Sequence, residues 1–111
     1  VDTWKQIEAP DYPYPERCYF HKIRRDENGM AQYTLFNEKR NIGVNIQYSG
    51  NDLPYFCEWK MLGKGEYVLG LEPMNVFLDG PKVGEEGCEA PILAPGESKV
   101  YTVRMNFIDK L

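Results

Sequence analysis

Short runs that alternate apolar and polar residues, separated by glycine- and proline-bearing turns and by one long loop over about 73–97, recur through this chain from Arg17 to Ile108. No segment sustains a 3.6-residue apolar repeat, so helix is expected to be minor. The cleanest run is 42–48, where Ile42, Val44, Ile46 and Tyr48 point one way and Gly43, Asn45 and Gln47 the other. That is a strand with one dry face. Residues 55–61 put Tyr55, Cys57, Trp59 and Met61 on one face and Phe56, Glu58 and Lys60 on the other, the second being the polar face. Residues 66–72 set Tyr67, Leu69 and Leu71 against Val68, Gly70 and Glu72. Further strands are predicted over 17–24, 31–37 and 98–108. Asp26-Glu27-Asn28-Gly29 is a hairpin-turn signal, Gly63-Lys64-Gly65 a tight turn, and Pro73 the stop to the 66–72 strand. Short strands at this spacing predict an all-β fold, an antiparallel β-sandwich.

Residues 1–16 read differently. Trp4 is followed by Pro10, Pro13 and Pro15, which forbid a continuous helix or a central strand, so an extended arm or linker is expected there. The sandwich segment is then 17–111. Because the chain begins at Val1 rather than methionine, further chain upstream is expected. A net charge of −4 with interspersed signs argues against nucleic acid. The one basic cluster, Lys22, Arg24 and Arg25, runs straight into Asp26 and Glu27. No apolar run approaches the roughly 18–20 residues that span a bilayer, and no signal peptide is visible, so no membrane partner is expected. Cys18, Cys57 and Cys88 are odd in number and lack a C-x-x-C spacing, which favours reduced thiols in a cytoplasmic protein. With His21 as the single histidine, no metal and no cofactor are expected.

The segment 66–79 holds the chemistry. A β-branched and aromatic run leads through Gly70 to Glu72, followed by Pro73 and a polar loop containing Asn75 and Asp79. A carboxylate delivered to a strand end has two readings, a general base or a solvated edge residue. Gly70 leaves room beside it for a ligand or a neighbouring backbone. If the strands at 55–61 and 66–72 pair as a hairpin, Glu58 and Lys60 are expected beside Glu72, with Trp59 on the face opposite Lys60.

Three stretches carry a family likeness: Trp59-Lys60-Met61-Leu62-Gly63, Gly65 through Leu71-Glu72-Pro73-Met74-Asn75, and Leu93-Ala94-Pro95-Gly96-Glu97-Ser98. Together they resemble the C-terminal third of aldose 1-epimerase-like proteins, closest to a branch of the galactose mutarotase superfamily grouped as a domain of unknown function. The resemblance covers roughly 17–108. It implies that the chain is part of a galactose mutarotase-like supersandwich that binds a monosaccharide or derivative and interconverts its anomers by acid/base ring opening. By match of motif, Glu72 is the catalytic base, with Asn75 orienting it or the sugar and with Lys60 and Trp59 as further sugar-binding candidates. The acid histidines of mutarotases have no counterpart here, and His21 reads as a strand residue. The implied partners are the carbohydrate and either the remaining N-terminal part of the same protein or a second copy, since a partial sandwich leaves edges unpaired. Competing readings are a non-catalytic carbohydrate-binding module and a structural accessory domain.

Overall fold

The computed structural model describes residues 3–82, 85–88 and 90–111. After a 3-10 turn at Thr3–Lys5, six strands follow: β1 (Arg17–Lys22), β2 (Met30–Asn37), β3 (Ile42–Ser49), β4 (Tyr55–Gly63), β5 (Glu66–Met74) and β6 (Val103–Ile108). They form two antiparallel three-stranded sheets, β1-β4-β5 and β2-β3-β6, packed as an all-β sandwich. Among the described residues no helix is long and apolar enough to cross a membrane.

Three sequence expectations are corrected. The turn at Asp26–Gly29 does not close a β1–β2 hairpin, because the chain there passes from one sheet to the other. The local chemistry is as predicted: Asp26 Oδ1 accepts from the N–H groups of Asn28 and Met30, each at 2.9 Å, and Gly29 takes a φ of +77°. A turn signal fixes the bend and not the partner. Pro73 does not end β5, which runs on to Met74 with Pro73 opposite Phe56. β5 lies at a sheet edge, where a missing N–H removes no ladder bond. The last strand begins at Val103 rather than 98, because Lys99 and Tyr101 turn to loop partners, Asp52 at 3.1 Å and Asn75 at 3.3 Å.

The core lies between the sheets. Ala31, Ile46 and Tyr48 of the second sheet meet Phe56 of the first, flanked by Ile23, Tyr33, Val44, Leu53 and Leu71. Phe56 is stacked between two tyrosines, with ring centroids 4.3 Å from Tyr33 and 6.4 Å from Tyr48. The inner face of β6 is uncovered: Met105 and Phe107, opposite Ile46 and Val44, are 59% and 84% exposed. The radius of gyration, 16.2 Å, exceeds the roughly 13 Å of a closed domain near this size.

Tyr48 yields a test of the core. Its hydroxyl is buried without a hydrogen-bond partner among the described residues, and burial pushes its pKa up to about 12 from 10.0. Burial, with Cys18 and Glu72 nearby, likewise pushes the Cys57 thiol up to about 12 from 9.0. Both groups are held protonated in the fold, so their contribution is complete below pH 9 and is lost as pH rises toward 12. Tyr48→Phe should stabilise the protein by about 1 kcal/mol at neutral pH, since an unpaired buried hydroxyl is removed. It should also weaken the alkaline loss, as urea denaturation at pH 7 and pH 10.5 would read; a loss of stability at pH 7 would show that the hydroxyl is satisfied.

Candidate functional site

The turn Lys64–Gly65 sets the β4–β5 register, placing Gly63 opposite Glu66, Trp59 opposite Gly70 and Cys57 opposite Glu72. Across the other edge of β4, Cys18 faces Trp59 and Phe20 faces Cys57. Residues directly opposite in an antiparallel pair share a face. Glu72, Gly70, Trp59, Cys57 and Cys18 therefore lie together on the outer face of the first sheet. Behind them, Phe77 from the loop after β5 packs on Tyr55 and Phe20, at centroid distances of 4.0 and 6.1 Å.

Glu72 is exposed and makes no hydrogen bond or ion pair among the described residues. A Cβ added at Gly70 would lie 2.4 Å from Glu72 Oε1 and 3.2 Å from Trp59 Cβ. The room that Gly70 leaves is thus taken by the carboxylate of Glu72 itself, folded back along the strand beside the indole. Gly70→Ala should swing that carboxylate away while changing stability by under about 1 kcal/mol, because the clash falls mainly on a flexible side-chain end. The Glu72 carboxyl resonance, followed by NMR, would report the displacement; an unmoved signal would show that the carboxylate is not held there. Trp59 Nε1 donates to Glu16 Oε2 at 3.0 Å, and Asn75, just past β5, donates through Nδ2 to the Tyr101 hydroxyl at 3.3 Å.

Lys60 and Glu58 are not neighbours of Glu72, which corrects the sequence expectation. In the observed register Glu58 faces Leu71 and Lys60 faces Leu69, so both point inward, and a one-residue difference in register decides the face. The polar face of β4 is consequently the buried one, with Glu58 1% and Lys60 0% exposed. Lys60 Nζ donates to the carbonyls of Thr3, at 2.8 Å, and Gln6, and lies 3.4 Å from Glu8 Oε2 and 3.8 Å from Glu58 Oε1. Tyr33 donates to Glu58 Oε2 from the opposite sheet. Burial first, then this bond and the carboxylate charge, raise the Tyr33 pKa well above its ordinary value. Lys60 is therefore the anchor of the N-terminal arm and is screened from any ligand on the outer face.

His21 also lies inward, opposite Phe56, with its ring 4.7 Å from that of Trp4 in an edge-on contact. The arm that Trp4 belongs to is packed down rather than loose: Thr3 Oγ1 and the Tyr19 hydroxyl are hydrogen-bonded at 2.8 Å, Tyr67 donates to the Glu8 carbonyl, and Asp11 bridges Gly63. Sequence reasoning missed Glu16, Cys18 and Cys57 as neighbours of the Glu72 face. The two cysteines were legible from parity once the register was known; Glu16 had no signal, since its contact depends on the path of the arm.

The outer face thus combines a carboxylate that is unpaired among the described residues with a half-buried indole, while Asn75 is held just past the strand end by Tyr101. Among the described residues no group of three or more His, Cys, Asp or Glu side chains is placed to hold a metal ion. Neither a curated protein nor a solved structure matches the chain. Residues 1–107, nearly its whole length, match one family, and the chain belongs to it: the domain of unknown function DUF4432.

Proposed function

We propose that this chain forms part of the sugar site of an aldose 1-epimerase-like protein, with Glu72 as the base that takes the proton from the anomeric hydroxyl. The observation that carries this reading is the setting of Glu72: an exposed carboxylate without a charge partner among the described residues, lying on the bare backbone of Gly70 beside Trp59. An unneutralised carboxylate keeps its full capacity to accept from a hydroxyl, and an indole offers an apolar platform for the C–H face of a sugar ring.

In the proposed reaction the anomeric O–H proton passes to Glu72 while an acid protonates the ring oxygen and the C1–O5 bond breaks. The aldehyde rotates about C1–C2, and as the O5 hydroxyl re-attacks C1 from its other face its proton returns to the acid while the proton on Glu72 passes to the new anomeric oxygen. Such transfer requires the carboxylate within about 2.6–3.2 Å of the hydroxyl oxygen. Asn75, whose amide already donates to Tyr101, is suited to hold a neighbouring hydroxyl through its carbonyl. Lys60 has no part in this scheme.

One observation favours a second reading, a non-catalytic carbohydrate-binding sandwich. The single histidine of the chain, His21, faces the opposite side of the sheet from Glu72, so this chain brings no imidazole acid to the base. Anomer exchange of D-galactose and D-glucose, followed by NMR on the full-length protein with and without Glu72→Gln, separates the two. Exchange lost with sugar binding retained supports the base, and an unchanged rate refutes it. Binding without exchange in the wild type selects the second reading, and absence of sugar binding overturns both.

A further inference from the structure

Trp59 has a single hydrogen-bond donor, its indole N–H, and whatever accepts that proton decides which way the ring lies. Here the acceptor is Glu16 Oε2 at 3.0 Å, a charge-assisted bond. Glu16 immediately precedes β1, whose first two residues lie opposite Lys60 and Trp59, so the base of its side chain is fixed by the sheet. The approach to Glu16 is constrained as well. Pro13 and Pro15 restrict the backbone just before it. Upstream, the Asp11 N–H donates to the Leu62 carbonyl at 3.2 Å, and the Lys64 N–H donates to the Asp11 carbonyl at 3.0 Å. Downstream, the Arg17 guanidinium lies 5.3 Å from the Tyr14 ring centroid. On its other side Trp59 adjoins Gly70, over which the Glu72 carboxylate is folded. The bond to Glu16 engages the edge of the indole and not its π-face.

Building on the carbohydrate reading above, we propose that Glu16 is a positioning residue for that site: it fixes the Trp59 indole as a preorganised platform beside Glu72, onto which the C–H face of an aldose stacks. A partly exposed tryptophan without this acceptor would sample several rotamers and pay the ordering entropy when sugar binds. Glu16 itself neither touches the reacting atoms nor exchanges a proton with them.

The test is a comparison of wild type, Glu16→Gln and Glu16→Ala. The indole N–H signal of Trp59 is followed by NMR of tryptophan-labelled protein and assigned with Trp59→Phe; D-galactose affinity is measured by titration of the full-length protein. Glu16→Gln retains an acceptor oxygen and should keep both the signal and the affinity within about twofold. Glu16→Ala should move the signal upfield, speed its exchange with solvent, and weaken binding about three- to tenfold. Both variants alter an exposed side chain, so the fold should survive, and the remaining amide spectrum checks this. An unmoved indole signal in Glu16→Ala overturns the positioning role. So does a moved signal with unaltered affinity. If the wild-type protein binds no sugar while its indole signature is as described, the carbohydrate reading is what has failed, and the platform role falls with it.

Discussion

Replacing Lys60 with methionine should lower the unfolding free energy by about 3–5 kcal/mol, because the Glu58 carboxylate then stays buried with its compensating charge removed. The ammonium group is wholly enclosed and holds the carbonyls of Thr3 and Gln6 as well as neighbouring Glu58 and Glu8. Its loss should also free the N-terminal arm, so Trp4 fluorescence should shift toward that of exposed indole and early proteolytic cleavage should appear between residues 3 and 8. Urea denaturation measures the first effect, and peptide mapping the last. The expectation has an internal control. The triple variant Tyr33→Phe/Glu58→Leu/Lys60→Met removes the whole polar set, and well-packed apolar replacements of buried ion pairs are neutral or stabilising by about 1–4 kcal/mol. Recovery of stability without recovery of the arm would assign Lys60 the role of anchor. If Lys60→Met alone is as stable as wild type, the buried pair is not formed in solution.

Glu72→Gln should depress anomer exchange by about 10²–10⁴-fold while leaving sugar affinity within a fewfold, the range expected when a positioned general base is lost. Glutamine keeps the length and one acceptor oxygen, so hydrogen bonding to the sugar survives and only proton acceptance is removed. Stability should change little, since the carboxylate is exposed and takes part in no ion pair among the described residues. A parallel fall in rate and affinity would instead assign Glu72 to binding. The same assay on Lys60→Gln tests the separation of the two faces: once corrected for any unfolded fraction, its rate should match wild type.

The strands themselves were legible because alternation is written into single residues. Ile42 to Tyr48 and Tyr55 to Met61 fall where the pattern places them. Which strands become neighbours was not legible, since β1 and β2 are consecutive yet belong to different sheets. The largest misreading concerned β4. Glu58 and Lys60 look like a solvent face by composition, but Phe56 and Leu62 lie on the same side and are fully buried. Two charges placed between two large apolar residues mark a face that is dry at its ends and internally paired at its centre. Glu72 was found from its place after Gly70 and from the family likeness, whereas its neighbours required the hairpin register. The Lys60 contacts with Thr3 and Gln6 span more than fifty positions along the chain, and no local pattern encodes them.

Pro73 bears on how this sheet can grow. A strand arriving at the free edge of β5 would find one N–H absent at Pro73, the penultimate residue of the strand, and, near the other end, the N-terminal arm held alongside by the bond from the Tyr67 hydroxyl to the Glu8 carbonyl. The free edge of β6 has neither obstacle: its six residues contain no proline, and their apolar face stands bare. Of these two edges, recruitment of an additional strand is therefore disfavoured at β5 and invited at β6. A second sheet open to lengthening at β6, beside a first sheet hindered at β5, is the asymmetry to which this one imino acid contributes.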